Sequence, residues 1–203
     1  MKKLLLLIAV VTIAIAPISA QNKAIAKVAK TNAKTLQKEG WKLLETGDLT
    51  YLIEKHLTKI EDGDAFEITN SAEGKKSLNM AKSIARNNVL NEYAESARSM
   101  VKGRITSNMQ DINEQQAENF VAAFERMVCT ELNGEVRTSY TLYRQNNDGK
   151  YDVRLVCLVD YNAAQKAIIG AIKRAAEQQK IAQQYGSEIS SWINEGFVKS
   201  INQ

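Results

Sequence analysis

From Ile18 to Gln203 the chain contains no proline; its one proline is Pro17. Proline removes a backbone donor and collides with the preceding helical turn, so it is the strongest local breaker of helices. With that breaker missing, helix is expected to dominate, and any strands must be cut out by glycine and asparagine turns. Hydrophobic residues make up 44% and charged residues 25% of the 203 positions. That balance excludes a mainly disordered chain and a polytopic membrane protein.

The N-terminus reads as an export signal over residues 1–20. Lys2 and Lys3 form a positive start, Leu4 to Ala16 is apolar apart from Thr12, and Ile18-Ser19-Ala20 offers small residues for cleavage before Gln21. The apolar run is short of the ~20 residues that span a bilayer. A lipoprotein leader would place cysteine at the cleavage point, but position 21 is Gln. The expectation is an exported bacterial protein of the periplasm or outer-membrane periphery, without a lipid anchor. Lys2 and Lys3 leave with the leader, so the remaining chain holds 25 basic and 23 acidic residues, a net +2. Nucleic-acid binding calls for a far stronger basic excess.

The chain divides into an N-terminal helical segment (21–62), an α+β core (63–160) and a C-terminal helical extension (161–203). Asn22 to Leu44 is Lys/Ala-rich, and Lys23, Lys27, Lys30, Lys34 and Lys38 share one face of a helix. That face suits peripheral contact with an anionic membrane surface or, more simply, solvent. Leu49, Leu52, Ile53, Leu57 and Ile60 predict a helix over 49–60, with the only histidine, His56, beside its apolar stripe. Ala65 to Asn70 alternates as a strand that Glu73-Gly74 should break. An alanine-spaced stripe predicts a helix over 75–102, ended by Gly103. A polar connector follows at 105–111, then a second sheet-packing helix at 113–131.

Two alternating runs, 136–144 and 151–160, flank Asn146-Asn147-Asp148-Gly149 and predict a β-hairpin. Val136, Thr138, Tyr140 and Leu142 are expected to face inward with Tyr151, Val153, Leu155, Cys157 and Val159. Val156 and Leu158 need a cover on the other face, and a helix over 162–185 is expected to provide it. Ile189, Trp192, Ile193 and Phe197 give a terminal amphipathic helix, read either as a partner-docking face or as one that packs back on the core.

No phosphate loop, dinucleotide fingerprint, zinc-protease motif or nucleophile elbow occurs. No cofactor or metal is expected, since one histidine excludes most two-histidine sites. Glu61, Asp62, Asp64 and Glu67 form a carboxylate cluster that reads either as a solvated turn or as the acid/base pair of a hydrolase or small-ligand site. Cys129 and Cys157 are the only cysteines. In an oxidising compartment they are either bridged or two buried thiols.

The stretch Glu73 to Asp160 resembles the LPP-twenty family of outer-membrane lipoprotein domains, whose relatives include flagellar outer-membrane assembly proteins. The resemblance is carried by Ala81-Lys82-Ser83-Ile84-Ala85-Arg86-Asn87, by Val128 to Gly134, and by Tyr140 followed by Asp148-Gly149-Lys150-Tyr151. Lys38-Glu39-Gly40-Trp41 is similar to an element ahead of such domains in uncharacterised exported proteins. The chain departs from the lipoprotein members in lacking the acylated cysteine. The resemblance implies a non-enzymatic envelope protein with protein partners and supplies no catalytic residue. The fold expected is α+β, with a small antiparallel sheet from 65–70, 136–144 and 151–160.

Overall fold

The computed structural model describes residues 18–108, 112–181 and Ser191. The elements run α1 (Ile18–Lys38), β1 (Lys42–Leu43), α2 (Leu49–Glu61), β2 (Ala65–Lys75), α3 (Leu78–Asn108), α4 (Glu114–Asn133), β3 (Arg137–Gln145), β4 (Tyr151–Asp160) and α5 (Tyr161–Gln178). The fold is α+β as expected, with one antiparallel sheet in the order β1-β3-β4-β2. The leader and its cleavage point lie mostly, and the 189–197 aromatic face wholly, outside the described residues.

Helix starts are set by side chains that accept orphan backbone donors. Asp48 caps α2 through Tyr51 N at 2.8 Å, Asn113 caps α4 through Gln116 N at 2.9 Å, and Asp160 caps α5 through Ala163 N at 2.9 Å. The hairpin turn is organised by Asn146, whose Oδ1 accepts from Asp148 N and Lys150 N. After α1, Gly40 takes φ +83°, a conformation that favours glycine. Trp41 N then donates back to Leu36 O at 2.9 Å, and the indole turns inward to 3% exposure.

Helices cover both faces of the sheet. On one face lie Phe66, Ile68 and Ala72 of β2 and Val153, Leu155, Cys157 and Val159 of β4, in one core with α3, α4 and α5. Helix α3 lies on β2 and β4, while α4 packs mainly on α3 and α5 rather than on the sheet. The alanine stripe of α3 lets it approach closely: Ala81, Ala85, Ala94 and Ala97 are fully buried. On the other face, Tyr140 and Leu142 of β3 and Val156 of β4 pack with Ala29, Ala33, Trp41, Leu49 and Ile53.

Several expectations change. Helix α3 runs through Gly103 to Asn108, because Ile105 beyond it is 3% exposed in the core; that burial outweighs the ~1 kcal/mol helix cost of a glycine. Strand β2 does not stop at Glu73-Gly74. It bulges there, with Gly74 at φ +67° and its N donating to Asp152 Oδ1 at 2.8 Å, and pairs again at Lys75 with Tyr151. Helix α5 does not cover the outer face of the hairpin. It ends at Gln178, short of the expected 185, and its Ala164, Ile168 and Ile172, with Ile181 beyond its end, enter the same core as α3 and α4; the N-terminal helices cover Val156 instead.

In β3 the expected facing holds only as far as Thr138. The register passes from Thr138 opposite Cys157 to Tyr140 opposite Val156, leaving Ser139 as the extra residue of a β-bulge. Tyr140 and Leu142 are thereby moved to the outer face, and Thr141 to the inner one. Two-residue β1 is too short for a periodic signal. It pairs Lys42 with Tyr143 and Leu43 with Leu142, and Leu44 N donates to Thr141 O at 2.9 Å. The next donor, Thr141 N, is taken by the Glu45 carboxylate at 2.8 Å.

The Thr141 hydroxyl is fully buried and has no hydrogen-bond partner among the described residues. A buried, unsatisfied hydroxyl costs about 1–3 kcal/mol of desolvation. Thr141→Val keeps the β-branched shape and removes that cost. It is expected to raise the stability measured by urea unfolding by about 1 kcal/mol, and an unchanged or lower urea midpoint contradicts this account.

Candidate functional site

The buried stripe of α2 is Leu49, Ile53 and His56. His56 therefore points at the sheet rather than standing beside the stripe, and is 2% exposed. It lands where two strands present polar side chains. Glu67 faces outward because alternation in β2 sends Phe66 and Ile68 the other way. Ser139 is aimed there by the bulge in β3. The His56 ring meets Glu67 Oε2 at 2.6 Å through Nε2 and Ser139 Oγ at 2.9 Å through Nδ1. Tyr140 stands edge-on to the imidazole at 5.7 Å between ring centroids.

Burial alone would raise the Glu67 pKa. The His56 hydrogen bond and charge, the Thr69 hydroxyl on Oε1 at 3.0 Å and the nearby Arg154 outweigh it and hold the carboxyl below its ordinary value. An ionised Glu67 can only accept, so the Nε2–H of His56 donates to it; Nδ1 accepts from the Ser139 hydroxyl when the ring is neutral and donates to Ser139 Oγ when the ring is charged. Serine hydrolases use the opposite ring: Nε2 takes the serine proton and Nδ1–H faces a buried acid. Here the acid is the more open partner, with 26% of the Glu67 side chain exposed against 1% for His56. The geometry is that of a polar clamp tying α2 to β2 and β3.

Beside the clamp is a cavity of about 420 Å³ whose wall includes His56, Ser139, Lys55, Lys59, Arg137 and Asp64. Of the carboxylate cluster only Asp64 lines it. Glu61 accepts from Gln21 Nε2 at 2.8 Å, Asp62 closes the C-terminus of α2, and Asp64 offers its backbone carbonyl to Tyr161 N. Of the cluster, only Glu67 reaches His56. No group of three or more His, Cys, Asp or Glu suited to a metal occurs among the described residues.

A second polar feature of the outer layer is Trp41. Its ring is flanked by the guanidinium groups of Arg144 at 4.5 Å and Arg154 at 4.8 Å. Arg144 is fixed in turn by Asp152, which accepts its Nε at 3.0 Å. Arg154 thus stands between the Trp41 stack and the Glu67 charge.

Cys129 and Cys157 are both free thiols, so of the two alternatives the structure holds the unbridged one. Cys157 lies on the inner face of β4, and burial pushes its thiol up to about 11. Cys129 directs its sulfur at α3, 3.9 Å from Leu90 O, and burial followed by the Glu125 charge raises its pKa as well. Lys23, Lys27, Lys30, Lys34 and Lys38 are all exposed on α1.

The clamp was half legible. The 49–53–56 spacing puts His56 on the buried stripe, and alternation puts Glu67 opposite Phe66 and Ile68. Nothing in the local sequence marks Ser139 as a bulge.

Two outcomes test this description. The folded-state pKa of Glu67 lies below the unfolded reference of 4.5, so the unfolded state binds the proton more tightly. The stabilisation is complete above that reference and lost as pH falls through the lower folded value. Glu67→Gln is expected to cost about 1 kcal/mol at neutral pH, with the gap to wild type closing in acid; a gap that stays constant in urea titrations across that range refutes the assignment. Separately, alkylation under non-reducing conditions is expected to find two thiols per unfolded chain and an unreactive Cys157 in the folded one. An oxidised pair sinks this reading.

No family model, curated protein or solved structure matches the chain. The likeness to the LPP-twenty family is carried by the residues quoted above alone.

Proposed function

We propose that this chain is an exported cell-envelope protein acting as a non-enzymatic structural, assembly or protein-interaction module. The observation that carries the reading is that the groups best able to do chemistry are engaged in holding the layers together. The only imidazole has both nitrogens bonded between two strands. Both thiols are packed in or against the core with their pKa values raised. A general base must come within hydrogen-bond reach of the substrate proton it takes, whereas the His56 side chain is 1% exposed and both its partners belong to the sheet; a reactive cysteine needs a lowered pKa. The export signal at 1–20 supplies the compartment in this reading, and Ile189, Trp192, Ile193 and Phe197 supply the docking face. Among the described residues no helix is long and apolar enough to cross a membrane.

Cross-linking in intact envelopes followed by pull-down tests the reading. Discrete cross-linked partners are expected, and His56→Gln with Ser139→Ala should leave them unchanged. Deleting residues 187–203 removes the docking face but keeps Ile181, which is 1% exposed in the core. The truncated chain is expected to melt at the wild-type temperature and to lose its cross-links. A fall of several degrees, or cross-links that persist, overturns the docking assignment.

A further inference from the structure

We propose that α1 is an electrostatic docking face for the anionic headgroups of a lipid bilayer, an inference that rests on the envelope reading above and names its surface.

Charge in this chain is segregated. Helix α1 carries five lysines and no acid over its 21 residues, while the chain beyond Lys38 holds 20 basic and 23 acidic residues, a net −3. At 3.6 residues per turn the five lysines fall within about 80° of arc, along a line of about 22 Å. All five are exposed, and none is in an ion pair among the described residues.

The other side of α1 settles how that line is presented. Ile25, Ala29 and Ala33 are buried, the last two with Trp41, Leu49 and Ile53 against the sheet. The helix is therefore held rigidly with its lysines outward. Ile25, Ala29 and Ala33 are already in use and Val28, at 44% exposure, is the one large apolar side chain the helix leaves open among the described residues, too little to drive insertion, so contact has to be electrostatic and reversible. A straight, rigid row of point charges suits a flat surface of diffuse negative charge. Lysine is the residue for that task, whereas bidentate recognition of one phosphate favours arginine. The α1 sequence also has no aromatic residue to stack on bases, which disfavours single-stranded nucleic acid as the occupant.

Each lysine near an anionic bilayer strengthens binding about fivefold, so five together give on the order of 10³–10⁴. The test is co-sedimentation of the purified full chain with vesicles of phosphatidylcholine containing roughly one-third phosphatidylglycerol. Phosphatidylcholine vesicles and a DNA duplex serve as comparisons. Binding to the anionic vesicles alone is expected, fading as salt shortens the screening length from about 10 Å towards 3 Å. Replacing Lys23, Lys27, Lys30, Lys34 and Lys38 together with Gln should abolish it, with the helical circular dichroism unchanged. If that variant misfolds, Lys30→Gln alone should weaken binding about fivefold. Equal binding to neutral vesicles, binding that survives the substitutions, or tighter capture by the DNA overturns the proposal. Loss of cross-linked protein partners with vesicle binding intact counts against the envelope interaction reading instead, so the two can fail separately.

Discussion

Strand β4 buries apolar side chains on both of its faces, and the rest of the architecture depends on that. Val153, Leu155, Cys157 and Val159 look into the core formed with α3, α4 and α5, while Val156 looks into the smaller one beneath α1 and α2. A strand buried on both sides needs helices on both sides. It also needs a neighbour on each edge, which β2 and β3 provide. The N-terminal helices are thus the cover that the second face of β4 requires.

That requirement was partly visible in the residues. Val156 and Leu158 interrupt the polar face of the second hairpin run, so a cover for that face could be inferred. Which helix supplies it could not, because α1, α2 and α5 are all amphipathic, and periodicity says nothing about which apolar stripe meets which sheet face. The alanine stripe of α3 was legible because its period is long and regular. Its end was misjudged at Gly103, where a local helix breaker lost to the burial of Ile105. Two-residue β1 has no periodicity to read. The facing of β3 was misjudged for a different reason: one extra residue at Ser139 inverts the alternation for all that follows.

The same bulge shapes the candidate site. It aims Ser139 at His56 and brings Tyr140 beside the imidazole, so the polar clamp and the outer core are made by one irregularity. Arg154 joins the clamp to the Trp41 stack, lying near Glu67 and over the indole. The outer layer therefore depends on paired polar groups to a degree that the inner one, built from alanines, aliphatic residues and aromatic rings, does not. A layer so made is sensitive to pH and salt where the inner core is not.

The shortness of β1 has a consequence for how the molecule behaves at high local concentration. An exposed strand edge is a template on which another chain can add a strand. Along β3 that template is interrupted: β1 occupies a small part of it, and the Glu45 carboxylate takes the Thr141 donor next to it. A foreign strand arriving there would have to displace an anion from a backbone amide before forming its first bond. Growth of the sheet through that part of β3 is therefore discouraged, which protects the fold against cross-β aggregation at the price of one charged side chain.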